Sequence, residues 1–201
     1  LSWQGWISVV IYLFFGSIVT KIGFKFKKEQ GIAEKRGGRR GPENVWGSAA
    51  TGLFFAIMTK FNASNLVMFK IGFAASFAAK LADTFGSEIG KRFGKDTYLI
   101  TSLKKVERGT EGGISFEGTL ASVLGSIIMT FIMLRLSLIS TKLHFIIVAL
   151  SGFLATLSES IIGATFQKKY KLSNEIVNSI QTSIASVFAI FTLILYSHFL
   201  N

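Results

Sequence analysis

The chain has 201 residues, of which 50% are hydrophobic and 16% are charged, and its formal net charge is +11. A soluble domain of this length would have to bury nearly all of that apolar surface in a modest core, and would normally carry more charge. The sequence has no cysteine, which excludes disulfides, thiolate metal sites and cysteine nucleophiles. In so apolar a chain the positive charge matches anionic lipid or a phosphorylated ligand better than nucleic acid.

Six apolar blocks follow one another, most of them near the 20 residues that a helix needs to cross the hydrocarbon core. They predict an all-α, polytopic membrane helix bundle of about six transmembrane helices, forming a single integral membrane domain over residues 1–201. The second block is short and the third contains three charged residues, so five helices are the alternative count. The predicted spans are Trp3–Thr20, Asn44–Thr59, Ser64–Phe85, Gly118–Ile139, Leu143–Phe166 and Ile176–Leu200.

The connections between these blocks alternate in charge. Residues 21–43 hold eight Lys/Arg, residues 86–116 hold six and residues 167–175 hold three, whereas residues 60–63 and 140–142 hold one each. The positive-inside rule places the three basic loops on the cytoplasmic side and both ends of the chain on the opposite side.

The first basic loop is richer in glycine and arginine than a simple connector requires. Its arginines are planar bidentate donors suited to phosphate oxygens, and its glycines allow the backbone to approach a ligand closely. Lys21, Lys25 and Lys28 would form one cationic stripe if the first helix continued through them, and such a stripe also suits anionic lipid. The candidate catalytic residues here are Lys21, Arg36, Arg39 and Arg40, and Asn44 is a candidate substrate contact; together they would bind a phosphate group.

Two carboxylates begin the second basic loop. Asp83 follows an alanine-rich apolar run, and an ionisable residue at that depth indicates function unless it pairs locally, as it could with Lys80. Glu88 lies five residues further, so both carboxylates reach one cation only if the helix ends near Gly86. Two carboxylates together with nucleotide phosphates are a normal Mg²⁺ environment, which makes Asp83 and Glu88 the predicted metal ligands.

Glycines recur in the same loop. Gly86, Gly90 and Gly94 are spaced by four, which favours a helix packing face over a phosphate cradle. The stretch GTEGGIS, Gly109–Ser115, precedes the fourth span and offers backbone N–H groups to an anion, although neither GxxxxGK[ST] nor GxGxxG occurs. The predicted phosphate-binding residues are Lys91, Lys95, Gly109, Thr110, Gly112 and Gly113.

The fifth block contains the remaining intramembrane acid, Glu159, which should face the bundle interior rather than lipid. Gln167, Asn174 and Asn178 follow at the hairpin to the sixth block. These three and Glu159, which would lie deeper near the head of the substrate, are candidate substrate contacts, although Asn174 could equally serve as a helix cap beside Ser173.

Four separated motifs together resemble one known family. KxGxxxK…GIAEKRGGRRGPENVWGSAATG begins at Lys21, and ADTFGSEIGK, GTEGGIS-x2-GTLAS and SESIIGATFQ…NEIVNSI follow in order. This combination resembles the transmembrane protein 19 family, which includes the phytyl-phosphate kinases of plants and cyanobacteria, and it covers essentially the whole chain. The central D-x4-E-x-G segment is also similar to the core shared by prenol kinases and CTP-using lipid enzymes.

The resemblance implies Mg²⁺-dependent phosphoryl transfer from a nucleoside triphosphate, with CTP favoured, to an isoprenoid monophosphate. With phytyl phosphate the product would be phytyl diphosphate, a precursor for tocopherol and phylloquinone side chains. Membrane lipid would be a further partner, and a homo-oligomer is an open option. Two alternatives stand beside this prediction: a CTP-dependent cytidylyltransferase acting on a lipid phosphate, and a non-enzymatic transporter or scaffold with a buried ion path.

Overall fold

The computed structural model describes residues 1, 3–34, 36–38 and 42–200, except for the side chains of residues 42–45, 48 and 200. Within this part, seven helices are joined by short turns and one small sheet, which confirms the predicted all-α membrane bundle. The helices are α1 (Trp3–Lys21), α2 (Phe24–Glu29), α3 (Pro42–Phe61), α4 (Leu66–Phe93), α5 (Phe116–Arg135), α6 (Lys142–Ile162) and α7 (Asn174–Leu200).

Five of these helices, α1, α4, α5, α6 and α7, are long and apolar enough to span a bilayer. In the described part of α3 the apolar stretch is shorter, at Ala49–Phe61. The contacts of α3 decide its course. Gly47 packs against the backbone of Glu175 at the start of α7, whereas Thr59 accepts a hydrogen bond from the amino group of Leu1 (3.2 Å) beside the start of α1. α3 therefore runs the length of the bundle, which gives six long helices.

The three basic connections meet at one end of the bundle, which we call the basic end. Lys27 of α2, just after α1, pairs with Glu88 near the end of α4. Gly112, in the segment between α4 and α5, packs against Ala164 just after α6. The charge alternation in the sequence therefore corresponds to a real separation between the two ends of the molecule.

Helix α4 is the centre of the bundle, and its residues 71–82 are all buried. Gly86 and Gly90 on α4 lie against α5: an added Cβ on Gly86 would clash with the Ser122 hydroxyl (2.0 Å), whereas one on Gly90 would make ordinary contact with Gly118 (3.6 Å). The glycine repeat is therefore the packing face that the spacing favoured. α4 is about 42 Å long at 1.5 Å per residue, so it exceeds a hydrocarbon core of roughly 30 Å, and one end must reach the headgroup region.

The second basic loop differs from its prediction in two ways. α4 continues to Phe93 rather than ending at Phe85, so the connection begins at Gly94 instead of residue 86. The connection then folds into a three-stranded antiparallel sheet, which the all-α prediction did not include. Its strands are β1 (Thr97–Leu99), β2 (Lys105–Val106) and β3 (Gly113–Ser115), in the order β2-β1-β3.

Helix α2 also departs from its prediction. α1 ends at Lys21, and the left-handed backbone of Gly23 (φ 59°) separates it from α2. Because the helix is broken there, Lys21, Lys25 and Lys28 do not form one continuous stripe, and all three are exposed. The residue that turns inward is Lys27.

Candidate functional site

A polar cavity of about 200 Å³ lies at the basic end of the bundle. Its walls come from α4, the glycine-rich turn before β3, the start of α5, the end of α6 and the start of α7. That volume is below the usual range for small-molecule sites, roughly 300–1,000 Å³, so it suits phosphate groups and a cation rather than a whole nucleotide. The lining residues that bear charge are Glu34, Lys80, Asp83, Glu88, Lys91, Glu111 and Glu159.

Asp83 and Lys80 form an ion pair in this cavity. The Lys80 Nζ lies 2.5 Å from Asp83 Oδ2 and donates a second hydrogen bond to Asn178 Oδ1 on α7 (2.8 Å). The Lys80 side chain is 3% exposed and that of Asp83 is 16% exposed. The local pairing that the three-residue spacing allowed is therefore present, and one side of it faces the cavity.

Glu88 has a different environment. Its Oε2 accepts from Lys27 Nζ, which also donates to the backbone carbonyl of Thr20 (2.8 Å). The Lys27 side chain is 0% exposed and that of Glu88 is 2% exposed. α4 does not end near Gly86, so the condition under which Glu88 and Asp83 would converge on one cation is not met. The geometry therefore argues against the predicted role of Glu88 as a metal ligand.

Two further carboxylates in the cavity have no hydrogen bond or ion pair with any described residue. Glu159 comes from α6 and is largely buried, whereas Glu111, at the mouth, belongs to the turn between β2 and β3 and is more exposed. Partial burial raises the pKa of Glu111; nearby Lys91 lowers it, and Asp83 and Glu34 raise it. Glu111 lies within the GTEGGIS motif but was not singled out from the sequence, since one acid in a turn carries no distinctive pattern.

The glycine-rich turn covers the cavity as its sequence suggested. Gly109 and Gly112 have left-handed backbones (φ 81° and 74°), and Gly109, Thr110, Gly112 and Gly113 all line the cavity. A Cβ on Gly112 would lie 2.5 Å from Ala164 Cβ and 2.6 Å from the Ser160 carbonyl oxygen. The turn is thus pressed onto the π-helical segment Gly163–Gln167 that follows α6.

Of the substrate-contact candidates at the α6–α7 hairpin, two line the cavity and one lies outside its lining. Asn174 and Asn178 line the cavity. Gln167 supports Asn174 instead, because its Nε2 donates to Asn174 Oδ1 (2.6 Å). The cap of α7 is supplied by Ser173, whose Oγ accepts from the Ile176 N–H (3.4 Å), so Asn174 is not needed in that role.

Several predicted phosphate ligands lie elsewhere. Lys91 lines the cavity and is 3.5 Å from Glu34, but Lys95 is exposed outside it. Lys21 is exposed at the end of α1, and Arg36 lies in the short turn Arg36–Gly38, also outside the lining. Arg39, Arg40 and the side chain of Asn44 fall outside the residues that the structure describes.

The donor set of the cavity suits a hard cation. The oxygen atoms in its lining belong to carboxylate, hydroxyl and carbonyl groups, which Mg²⁺ prefers. No group of three His, Asp or Glu side chains is arranged around one point within the described part of the chain. Mg²⁺ commonly takes only one or two carboxylates and completes its shell with water and phosphate oxygens, so the carboxylates of this cavity fit the ion only if other ligands complete its shell.

Comparison of the sequence with known proteins identifies one matching family and several similar proteins. The family described as integral membrane protein DUF92 matches residues 1–191. The chain is 47% identical to the uncharacterized membrane protein sll0875 of Synechocystis sp., over 94% of this chain and 74% of that protein. It is 42% identical to Protein VTE6, chloroplastic, of Arabidopsis thaliana, over 94% of this chain and 60% of that protein.

A third relative is less similar to this chain. The uncharacterized membrane protein MJ0933 of Methanocaldococcus jannaschii is 32% identical over 92% of this chain and 74% of its own length. No solved structure matches the chain. The match over residues 1–191 and the identity to VTE6 confirm the resemblance inferred from the four motifs: this chain belongs to the DUF92 family of integral membrane proteins, the transmembrane protein 19 type.

Proposed function

We propose that this protein is a membrane phosphotransferase that moves the γ-phosphoryl group of a nucleoside triphosphate, with CTP favoured, onto an isoprenoid monophosphate. The observation that carries the proposal is the polar cavity at the basic end, enclosed by a glycine-rich turn and lined by lysines and carboxylates. The similarity to VTE6 and the family resemblance support a prenyl-phosphate kinase-like activity.

The cavity divides the work of such a reaction among its residues. Lys80 and Lys91 would neutralise phosphate oxygens, and the N–H group of Gly112 would donate to them, whereas the Gly113 N–H already donates to the Thr110 carbonyl (2.9 Å). Asn174 and Asn178 at the start of α7 would orient the acceptor head. Asp83 would contribute to the Mg²⁺ site, and Mg²⁺, when bound, supplies neutralisation of the charge that develops on the transferring phosphoryl group.

This arrangement needs no strong general base. The acceptor is a phosphate monoester whose oxygen is already an adequate nucleophile, so alignment and charge neutralisation provide most of the catalysis. One terminal phosphate oxygen of the acceptor attacks the γ-phosphorus as its bond to the bridging β–γ oxygen breaks, giving a lipid diphosphate and a nucleoside diphosphate. The prenyl chain would lie along the apolar helices outside the small cavity.

The basic end would face the cytoplasm or stroma, where nucleotides are available. The positive charge of its connections supports this orientation. Modification of single cysteines placed at Lys25 and Glu107 by a membrane-impermeant reagent should occur from the same side of the membrane. Labelling of the two positions from opposite sides would contradict the proposed orientation and the single site.

The proposal is tested by incubating purified protein with CTP, Mg²⁺ and phytyl, geranylgeranyl or farnesyl monophosphate, followed by mass spectrometry of the lipid. Formation of a prenyl diphosphate with release of CDP supports the kinase. A CMP-linked lipid with release of pyrophosphate would identify a cytidylyltransferase instead. No nucleotide affinity and no product would favour the transporter or scaffold reading.

A further inference from the structure

One apolar residue in the wall of the polar cavity also lies on the outer surface of the bundle. Among the described residues that line the cavity, Ile114 and Leu157 are the two with apolar side chains. Leu154 lies three residues before Leu157 and Ile161 four residues after it, so the three side chains share one face of α6. Leu154 and Ile161 are exposed on that face. Leu157 therefore belongs both to the lipid-facing surface of α6 and to the cavity.

The cavity lies among α4, α5, α6 and α7, and three of the four seams between these helices are closed at its level. The seam between α4 and α5 is closed by the glycine packing at Gly86. The seam between α4 and α7 is closed by the hydrogen bond from Lys80 to Asn178 (2.8 Å). Between α6 and α7, the Gln181 Nε2 donates to Thr156 Oγ1 (3.4 Å). A ligand that reaches the cavity from the membrane must therefore use the remaining seam.

The remaining seam, between α5 and α6, is closed only at its two ends. Away from the basic end, Ser126 Oγ donates to the Ala149 carbonyl (2.7 Å), and at the basic end Gly112 covers the segment that follows α6. Thr119 and Leu157 both line the cavity, and because the two helices are antiparallel they lie about 11 Å nearer the basic end than that hydrogen bond, at 1.5 Å per residue. In the part of the chain that the structure describes, no hydrogen bond or ion pair joins α5 to α6 at this level. We call this gap, with Thr119 on one side and Leu157 on the other, the α5–α6 seam.

The surroundings of the α5–α6 seam suit a molecule with a charged head and an apolar chain. Inside it lie the charged and polar groups of the cavity, and outside it lies the apolar surface of α6. A hydrocarbon chain among the charged groups would remove water from them without replacing its hydrogen bonds. The same chain on the outer side of Leu157 would stay in an apolar environment.

We propose that the acceptor lipid occupies the α5–α6 seam, with its phosphate in the cavity and its hydrocarbon chain passing between Thr119 and Leu157 into the bilayer. Leu157 then contacts the isoprene unit next to the phosphate and determines which chains fit. This assignment rests on the proposed function for the identity of the acceptor. It adds the side of the bundle from which the acceptor enters and the residue that selects its chain.

The first test locates the chain without requiring turnover. Purified protein is irradiated with a prenyl monophosphate that carries a benzophenone on its second isoprene unit, and the adducts are located by peptide mass spectrometry. We expect adducts within residues 119–124 and 154–161 that excess phytyl monophosphate displaces and phytol does not. The outer face of α7 is the internal control, because Val187 and Phe191 are at least as exposed to lipid.

The outcomes of this test separate the seam from the proposed function. Displaceable adducts on α7 in place of the seam, or no displaceable adducts, would overturn the seam assignment, and phosphoryl transfer by the same preparation would then leave the phosphotransferase standing. Displaceable adducts at the seam without any transfer would keep the seam as a binding site for a lipid phosphate and would end the kinase proposal.

The second test measures the KM values of variants at Leu157. Leu157→Trp enlarges the side chain in the seam and should raise the KM for phytyl monophosphate by about tenfold, the lower end of the effect of a methylene-sized change in an apolar pocket. The KM for CTP should not change, because the nucleotide does not pass through the seam. Leu150→Trp is the matched control, since Leu150 is 53% exposed on the same face of α6 and lies outside the cavity lining.

A smaller substitution guards against a folding defect of the tryptophan variant. Leu157→Ala removes the contact with the chain and should raise the KM for phytyl monophosphate by less, again with no change in the KM for CTP. Equal increases in both KM values would show a structural role for Leu157 and overturn its role in selecting the chain. An unchanged KM for phytyl monophosphate in both variants would overturn it as well.

Discussion

Helix α4 contributes the carboxylate of two lysine–carboxylate pairs, and these pairs have different surroundings. We call Lys27–Glu88 the sealed pair, because the Lys27 side chain is 0% exposed and that of Glu88, although it borders the cavity, is 2% exposed; Lys27 also donates to the Thr20 carbonyl in the last turn of α1. Lys80 and Asp83 face the polar cavity, and Lys80 is shared with Asn178 of α7. The same kind of ion pair thus connects α2 to α4 in one place and lines the cavity beside α7 in the other.

This difference has an energetic basis. Removing the charge of one partner in a sealed pair leaves the other charge buried and uncompensated, which lowers the free energy of unfolding. Replacing both partners by apolar residues often leaves the free energy of unfolding unchanged. At the cavity, water or a ligand can replace the lost partner. The sealed pair should therefore affect mainly stability and the cavity pair mainly activity.

The largest expected effect is on the sealed pair. Glu88→Gln leaves the Lys27 ammonium buried without a counter-charge, and we expect a loss of about 3–5 kcal/mol in the free energy of unfolding. The unfolding temperature in detergent, followed by tryptophan fluorescence, measures it. Glu29→Gln, at an exposed glutamate on α2, is the control, and the double variant Lys27→Met/Glu88→Leu should recover most of the loss. Wild-type stability in Glu88→Gln would remove the distinction between the two pairs.

The second effect concerns the cavity pair. Asp83→Asn keeps the size of the side chain and a hydrogen-bond acceptor for Lys80, so the protein should fold and be extracted normally. Phosphoryl transfer should fall by roughly 100-fold or more, as when a charge-stabilising group is removed from an active site. The initial rate of lipid diphosphate formation measures it, with Asp96→Asn, at an exposed aspartate, as control. A variant that is unstable but fully active per folded molecule would reverse the assignment of the two pairs.

A smaller effect is expected from the turn that covers the cavity. Gly112→Ala places a Cβ against Ala164 and Ser160, which should lift the turn and lower the transfer rate by up to about 100-fold, the loss that a misplacement of about an ångström can cause. Gly31→Ala is a close control, since Gly31 has a similar φ of 70° but open space around it. Both variants carry backbone strain, and only the first carries the clash. Equal losses in the two would show that strain, and not the seating of the turn, is responsible.

The smallest effect lies outside both pairs. Asp96 and Lys105 form an exposed ion pair (2.5 Å) across the start of the sheet, and Lys105 lowers the pKa of Asp96 below its ordinary 3.8. The contribution of this ion pair to the free energy of unfolding is present above pH 3.8 and is lost only as the pH falls below that value. Because exposed pairs contribute little, Lys105→Met should leave both the unfolding temperature at pH 7 and the transfer rate unchanged. A marked loss of either would give the sheet a role that this account does not assign.

The sequence was sufficient for the bundle and for much of the cavity wall. Apolar blocks located the six long helices, and the charge of the connections located the basic end. Asp83, Lys91, the GTEGGIS turn, Glu159 and Asn178 were identified from local patterns because ionisable and glycine residues are conspicuous in an apolar chain. Each of these features depends on the residues of one segment alone, so it can be recognised from the sequence.

The misses came from contacts between distant segments. The sequence predicts that the third apolar block ends at Phe85, because the charged residues that follow are typical of a loop. In the structure α4 continues, since Lys27, 61 residues before Glu88, pairs with the Glu88 carboxylate within the helix. The break at Gly23 that turns Lys27 inward has no strong local signal. The sheet was missed because its strands have only two or three residues. Pairing of this kind depends on tertiary placement, so residue spacing alone did not reveal it.

The central claim is that the polar cavity at the basic end transfers a phosphoryl group to a lipid phosphate. The most direct measurement compares CTP labelled at the γ-phosphate with CTP labelled at the α-phosphate, each supplied with Mg²⁺, prenyl monophosphate and purified protein. We expect the γ-label alone to appear in the lipid, with release of CDP. Appearance of the α-label in the lipid, or no label from either nucleotide, would contradict it.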